Sequence, residues 1–121
     1  MRSFFPGRPP IEAYGDGGFR FAGMSHRGSI LALPSGVYGW KTEGATLKPE
    51  DFDGVFAEKD EIDHLLFGTG RAMSRPSRAV SEAFISGGIT LEPMATGSAI
   101  STYNLLLAER RKVAAALIAV A

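Results

Sequence analysis

The chain of 121 residues has no cysteine, which excludes a thiol nucleophile, a thiolate metal site and a disulfide framework, and suits a reducing compartment. It also lacks an excess of charge of either sign. Thirteen Lys and Arg balance thirteen Asp and Glu, so the bulk field of a general nucleic-acid or acidic-membrane binder is missing. No long apolar run is present: the longest, Val113 to Ala121, is about half of what a membrane-spanning helix needs. The first ten residues carry two Phe and three Pro but no apolar stretch of signal-peptide length. These absences lead us to expect a cytoplasmic protein with no transmembrane segment and no nucleic-acid partner.

What is present suffices for one core. Apolar residues make up 45% of a chain of ordinary single-domain length, so neither a metal nor a cofactor is needed as a staple, and none is expected. Residues 1–10 read as a flexible Pro-rich arm, and residues 11–121 as a single α/β domain. Tyr14-Gly-Asp-Gly-Gly18 reads as a turn. Short strands follow over Phe19–Gly23, Ser29–Leu33 and Val37–Trp40, punctuated by Gly and Pro in the manner of an antiparallel section.

The pattern then changes. Lys48–Phe56 predicts a short helix, with Pro49 and two acids in its first turn. Ile62–Phe67 predicts a strand, Pro76–Ser86 a helix closed by Gly87-Gly88, and Ile89–Pro93 a further strand. A helix from Ser98 to about Arg110 comes next. Val113–Val120 is alanine-rich, which favours helix, but its unbroken apolar character fits a strand buried on both faces. With that strand, the second half reads β-α-β-α-β.

In this order and spacing, Tyr14-Gly-Asp-Gly-Gly-Phe19, Arg27-Gly-Ser-Ile-Leu31, Trp40 and Glu50-Asp-Phe52 form the first half of a recognisable pattern. Ile62 to Gly70, Thr96-Gly97 through Thr102-Tyr-Asn104, Glu109 and Val113 to Ile118 form the second. The chain resembles a bacterial member of the MTH-like domain family of unknown function, which includes the mitochondrial respiratory complex I assembly factor 3 and an adipogenesis-associated protein. The resemblance implies a three-layer (β+α/β/α) fold with a central mixed sheet, helices on one side and a β-plus-α layer on the other. It implies assembly or interaction as the functional class, with respiratory-complex subunits or membrane-complex assembly components as protein partners. The family commonly shows Glu-Gly-Arg before the last strand; here Arg110 follows Glu109 directly. In a left-handed cap, Arg110 would cost on the order of 1 kcal/mol relative to Gly.

Gly68-Thr-Gly70 and Thr96-Gly97 each close a strand, and the second leads into a helix. If their strands are neighbours, the backbone N–H groups of Gly68, Thr69, Gly70, Gly97 and Ser98 line one crevice. The side chains of Thr69, Thr96, Asn104 and Arg71 would supply further donors, suited to a carboxylate or phosphate. The plain reading is that the glycines serve tight turns and that Thr96 or Ser98 caps the helix. Neither loop is a Walker A, and neither completes G-x-G-x-x-G.

Arg71, Arg75 and Arg78 either supply charge for an anion or acidic partner or form a solvated face. Tyr103 and Asn104 either point toward the crevice or serve the core. The two histidines, His26 and His64, have no helical spacing to mark a metal site, and Asp63 and His64 point to opposite strand faces. Ser98 and Ser101 lack a G-x-S-x-G elbow, and Glu58, Asp60 and Glu61 read as an exposed loop. Phe4 and Phe5, on the arm, are candidates for docking a partner or a second copy of the chain. No catalytic constellation emerges. The residues leave two functional readings: a non-enzymatic assembly or interaction module, and a binder of a small anionic metabolite or weak enzyme acting on one.

Overall fold

The computed structural model describes residues 3–42 and 46–121. Among them the chain forms strands β1 (Ser3–Pro6), β2 (Ile11–Gly15), β3 (Gly18–Phe21), β4 (Met24–Arg27), β5 (Ile30–Leu33) and β6 (Gly36–Gly39). A 3-10 turn (Pro49–Phe52) and helix α1 (Asp53–Phe56) follow, then β7 (His64–Gly68), α2 (Arg78–Gly87), β8 (Thr90–Met94), α3 (Thr96–Ala108) and β9 (Val113–Leu117). Six strands build a central mixed sheet in the order β1-β6-β5-β9-β7-β8, and β2-β3-β4 form a separate antiparallel sheet.

The alanine-rich run is the middle of the molecule. All five residues of β9 are buried, with β5 antiparallel on one side and β7 parallel on the other. Alternate residues serve opposite cores. Val113, Ala115 and Leu117 join Leu66, Ile11, Phe21 and Tyr103 under α3 and the small sheet. Ala114 and Ala116 join Phe67, Trp40, Phe52 and Phe84 under α1 and α2. Alanine on the second face leaves room for large rings. Phe52 stands edge-on to Phe67 and Phe84, with centroids 5.4 and 5.2 Å away, and the Trp40 indole N–H donates to the Asp51 carbonyl at 2.7 Å. The three layers are those the resemblance implied.

Several boundaries depart from the sequence reading. Residues 3–6 are not an arm: Phe5 and Pro6 pair with Val37 and Gly36, and the Phe5 side chain packs on the first core. Burying part of that ring offsets the cost of ordering the segment, and Pro6, lacking an N–H, sits on an edge strand where the loss is tolerated. Met1 and Arg2 lie outside the described residues. The strands β2 and β4 flank β3 in the small sheet, so the N-terminal strands are divided between two sheets rather than forming one. The helix expected over Lys48–Phe56 breaks into a 3-10 turn and a single α-turn, capped where the Asp51 carboxylate accepts from the Lys48 N–H at 2.7 Å.

Both longer helices end in Schellman motifs. In α2, Gly88 (φ 76°) donates to the Ile85 carbonyl and Ile89 to that of Phe84. In α3, Arg110 donates to Leu107 and Arg111 to Leu106, with Arg110 held at φ 59°. Arg110 therefore occupies the left-handed cap position, which the resemblance assigns to glycine.

Candidate functional site

The parallel strands β7 and β9 and the start of α3 converge at one end of the central sheet. Gly68 closes β7 against Thr96: a Cβ on Gly68 would lie 2.9 Å from the Thr96 Cα and 3.0 Å from the Leu117 Cδ2. Thr96 is fully buried. Its hydroxyl donates to the Ile118 carbonyl at 2.8 Å and accepts from the Gly70 N–H at 3.0 Å, while its own N–H donates to the Gly70 carbonyl at 2.8 Å. One threonine thus ties the loop after β7, the end of β9 and the start of α3. It does so from within the first turn, because α3 begins at Thr96 with Ala95 as its cap residue and no side-chain cap. Neither Thr96 nor Ser98 serves as the cap.

Thr69 is used in the same way. Its N–H donates to the Met94 carbonyl at 2.8 Å, and its hydroxyl donates to the Ala72 carbonyl at 2.7 Å while accepting from the Ser74 N–H at 2.9 Å. It faces a second cavity, of about 500 Å³, with Phe67, Arg75 and Val80. Asn104 lies further along α3 and pins the small sheet to it: its amide accepts from the Ile11 N–H at 2.9 Å and donates to the Ile11 carbonyl at 2.8 Å. The structure therefore brings Gly70, Arg71, Gly97 and Ser98 to one groove of about 660 Å³. Thr69, Thr96 and Asn104 do not line it; their side chains are committed to backbone partners.

Two groups join the groove that sequence reasoning did not place there. Tyr14, 48% exposed, lies across Gly97, where a Cβ would come within 2.9 Å of its Cζ. Ser101, exposed, lines the groove one turn on, its hydroxyl donating to the Gly97 carbonyl at 3.3 Å. The only signal was the Tyr14-Gly-Asp-Gly-Gly18 turn, whose long-range partner no local pattern reveals. The N–H groups of Gly97 and Ser98 belong to the first turn of α3, where an intrahelical acceptor is absent by geometry. Arg71 Nη2 donates to the Ala121 carbonyl at 3.2 Å. The groove thus offers two backbone donors, a guanidinium and the hydroxyls of Tyr14, Ser98 and Ser101.

Outside it, Arg78 pairs with Glu82 at 3.0 Å on the exposed face of α2. His64 Nδ1 meets the Glu92 carboxylate at 2.9 Å across β7 and β8, both side chains about a third exposed. Glu58 is not a free loop carboxylate, since it accepts from the Ser35 N–H at 2.9 Å and the Ser35 hydroxyl at 2.6 Å. Tyr103 is buried in the first core, and desolvation pushes its hydroxyl up to about 12, against a smaller lowering by Arg8. It stays neutral across physiological pH and cannot act there as a base. Among the described residues, no group of three or more His, Asp or Glu is placed to hold a metal ion.

A family model described as "Protein of unknown function (DUF498/DUF598)" matches residues 11–118. The chain belongs to the DUF498/DUF598 family. An uncharacterised protein of Rhodobacter capsulatus is 35% identical over 114 residues, covering 94% of this chain and 87% of its own. The NADH dehydrogenase [ubiquinone] 1 alpha subcomplex assembly factor 3 of Mus musculus is 30% identical over 119 residues. That match takes in 98% of this chain but 64% of the mouse protein, so the chain spans less than two thirds of that relative. A crystal structure from Bartonella henselae, described as that of an outer membrane protein, superposes with a TM-score of 0.92 at 48% identity, covering 97% of this chain and 99% of that one. Among the described residues of this DUF498/DUF598 member, no helix is long and apolar enough to cross a membrane.

Proposed function

We propose that this chain is a non-enzymatic, cytoplasmic assembly or interaction factor, acting on protein partners in the biogenesis of a respiratory complex of the complex I class. The observation that carries the reading is the alignment to the mouse assembly factor over 98% of this chain. The shared part is therefore the whole domain and not a detachable motif. The arrangement of polar side chains fits this reading, because Thr69, Thr96 and Asn104 hold segments of the fold together. Purification of the tagged protein from its host at native expression, with mass spectrometry of co-eluting proteins, tests it. Stoichiometric recovery of complex I subunits or membrane-insertion components is the expected result; elution alone, with complex I at normal levels in a deletion strain, refutes it.

A second reading keeps the groove at the start of α3 as a site for a small anionic metabolite. It is favoured by the meeting of Gly70, Arg71, Gly97 and Ser98 there. Calorimetric titration with phosphate and small dicarboxylates, in the wild type and in Arg71→Ala, tests it. Binding that Arg71→Ala abolishes without loss of thermal stability supports a ligand site; no heat at millimolar anion refutes it. Thr69 and Asn104 are unsuited to that test, because replacing either removes backbone anchors.

A further inference from the structure

Helix α2 presents a stripe of side chains that nothing else in the described chain covers. Val80 and Phe84 point into the core at 1% exposure, which turns Arg78, Glu82 and Ile85 outward at spacings of four and three. Ile85 is 79% exposed, the highest value among the described large apolar side chains. Beside the stripe runs a groove of about 750 Å³ between α2 and the edge strand β8, walled by Met73, Pro76, Leu91 and Pro93. Met73 is itself 55% exposed. Side chains this apolar and this open form a patch that water solvates poorly.

The edge offers a partner strand few ladder bonds. Thr90 donates to the Asp63 carbonyl and Met94 accepts from the Thr69 N–H, so alternate residues 90, 92 and 94 bond inward to β7. The outward positions are Leu91 and Pro93, and Pro93 has no N–H to give. Side chains therefore dominate what this face offers a partner.

The stripe complements a copy of itself. If two α2 helices pack antiparallel about a twofold axis level with residue 80, each Arg78 stands opposite Glu82 of the second copy. The same operation carries Ile85 beyond the N-terminal end of the facing helix, toward the segment in which Met73 and Pro76 wall the groove. Parallel packing about a twofold axis would instead set Arg78 against Arg78 and Glu82 against Glu82, which like-charge repulsion opposes. We infer that this chain self-associates as a twofold dimer through antiparallel α2 helices, each Ile85 seated in the Met73–Pro76 groove of the other copy. The inference goes beyond the assembly reading and does not depend on it.

Sedimentation velocity of the full chain, from about 1 to about 200 µM, spans the range in which a small transient interface declares itself. The expected result is a mass rising from 12.9 kDa toward twice that value. Ile85→Glu is expected to raise the dimer Kd at least about tenfold. Its thermal midpoint should match wild type, because the side chain is exposed. Arg78→Glu and Glu82→Arg should each weaken the dimer, and the double reversal should restore it. A chain that stays monomeric throughout overturns the inference. So does a dimer indifferent to Ile85→Glu, or a double reversal that fails to recover.

Discussion

Asn104→Ala should lower stability by about 2 kcal/mol, and the reason is countable. The carboxamide makes two hydrogen bonds to one residue, accepting from the Ile11 N–H at 2.9 Å and donating to its carbonyl at 2.8 Å. Ile11 is 2% exposed, so truncation leaves a backbone donor and acceptor without partners on the inner side of β2. Each orphaned group costs about 1–3 kcal/mol when water is kept out and less where it can enter, while Ala returns about 0.6 kcal/mol of helix propensity. A net loss of about 2 kcal/mol lowers the midpoint on the order of 8 °C for a domain of this size. Urea unfolding followed by the fluorescence of Trp40, the single tryptophan, measures it. Asn104→Asp sharpens the test. Its carboxylate can still accept from Ile11 but would face the Ile11 carbonyl, so its folded-state pKa rises above the unfolded value. The folded state then binds the proton more tightly, and stability relative to wild type falls as pH rises through that folded pKa. Below about pH 4 the protonated carboxyl can donate as the amide does, and the penalty should shrink. A loss under about 0.5 kcal/mol for Asn104→Ala, or no pH dependence for Asn104→Asp beyond that of wild type, refutes the clamp.

Thr96→Val keeps the shape but removes the bonds to the Ile118 carbonyl and Gly70 N–H, so chemical denaturation should show a loss of about 2–4 kcal/mol; Thr96→Ser should recover most of it. Arg110→Gly relieves a residue at φ 59° and should stabilise by about 1 kcal/mol less a few tenths of helix-dipole attraction, seen as a raised midpoint in differential scanning calorimetry. Gly68→Ala sets a Cβ 2.9 Å from the Thr96 backbone, so the expected cost exceeds about 2 kcal/mol and soluble yield should drop. Tyr103, raised to about 12 by burial, contributes stability that is complete below the unfolded value near 10 and is lost as pH rises toward 12. Alkaline unfolding of Tyr103→Phe should accordingly be less steep than that of wild type.

The second half of the fold was legible because its signals are local. β7, α2, β8 and β9 lie close to their predicted spans, and Gly88 caps α2 in the expected left-handed conformation. The first half was harder. Strand β1 is held by pairing to β6 some thirty residues on, and β4 (Met-Ser-His-Arg) has no alternation to mark it, three of its four residues being exposed. Such strands exist because a neighbouring strand needs a partner, which no propensity encodes. At the candidate groove the strand-end glycines were readable, but the sequence could not say which way each hydroxyl turns. Asn is a poor helix residue whose amide calls for a partner, which makes Asn104 conspicuous in the sequence; that the partner is Ile11, 93 positions away, is tertiary information.

What remains at that groove bears on the choice between the two functional readings. With Thr69, Thr96 and Asn104 bonded to backbone, an anion would meet two N–H groups at the start of α3 and the exposed guanidinium of Arg71. A helix N-terminus open to solvent contributes about 0.3–1 kcal/mol, and a solvated guanidinium adds about 1. Together they supply about 2 kcal/mol, short of the roughly 4 kcal/mol that a millimolar Kd requires. Reaching micromolar affinity would need burial of the anion, and the groove lies open beside the half-exposed Tyr14. A protein partner is not bound by this ceiling. Its contact can extend over Tyr14, Ser98, Ser101 and Leu105, the last 59% exposed, and add apolar burial that a small anion cannot make, less the cost of association. These magnitudes weigh against the anion reading and support the assembly reading proposed above.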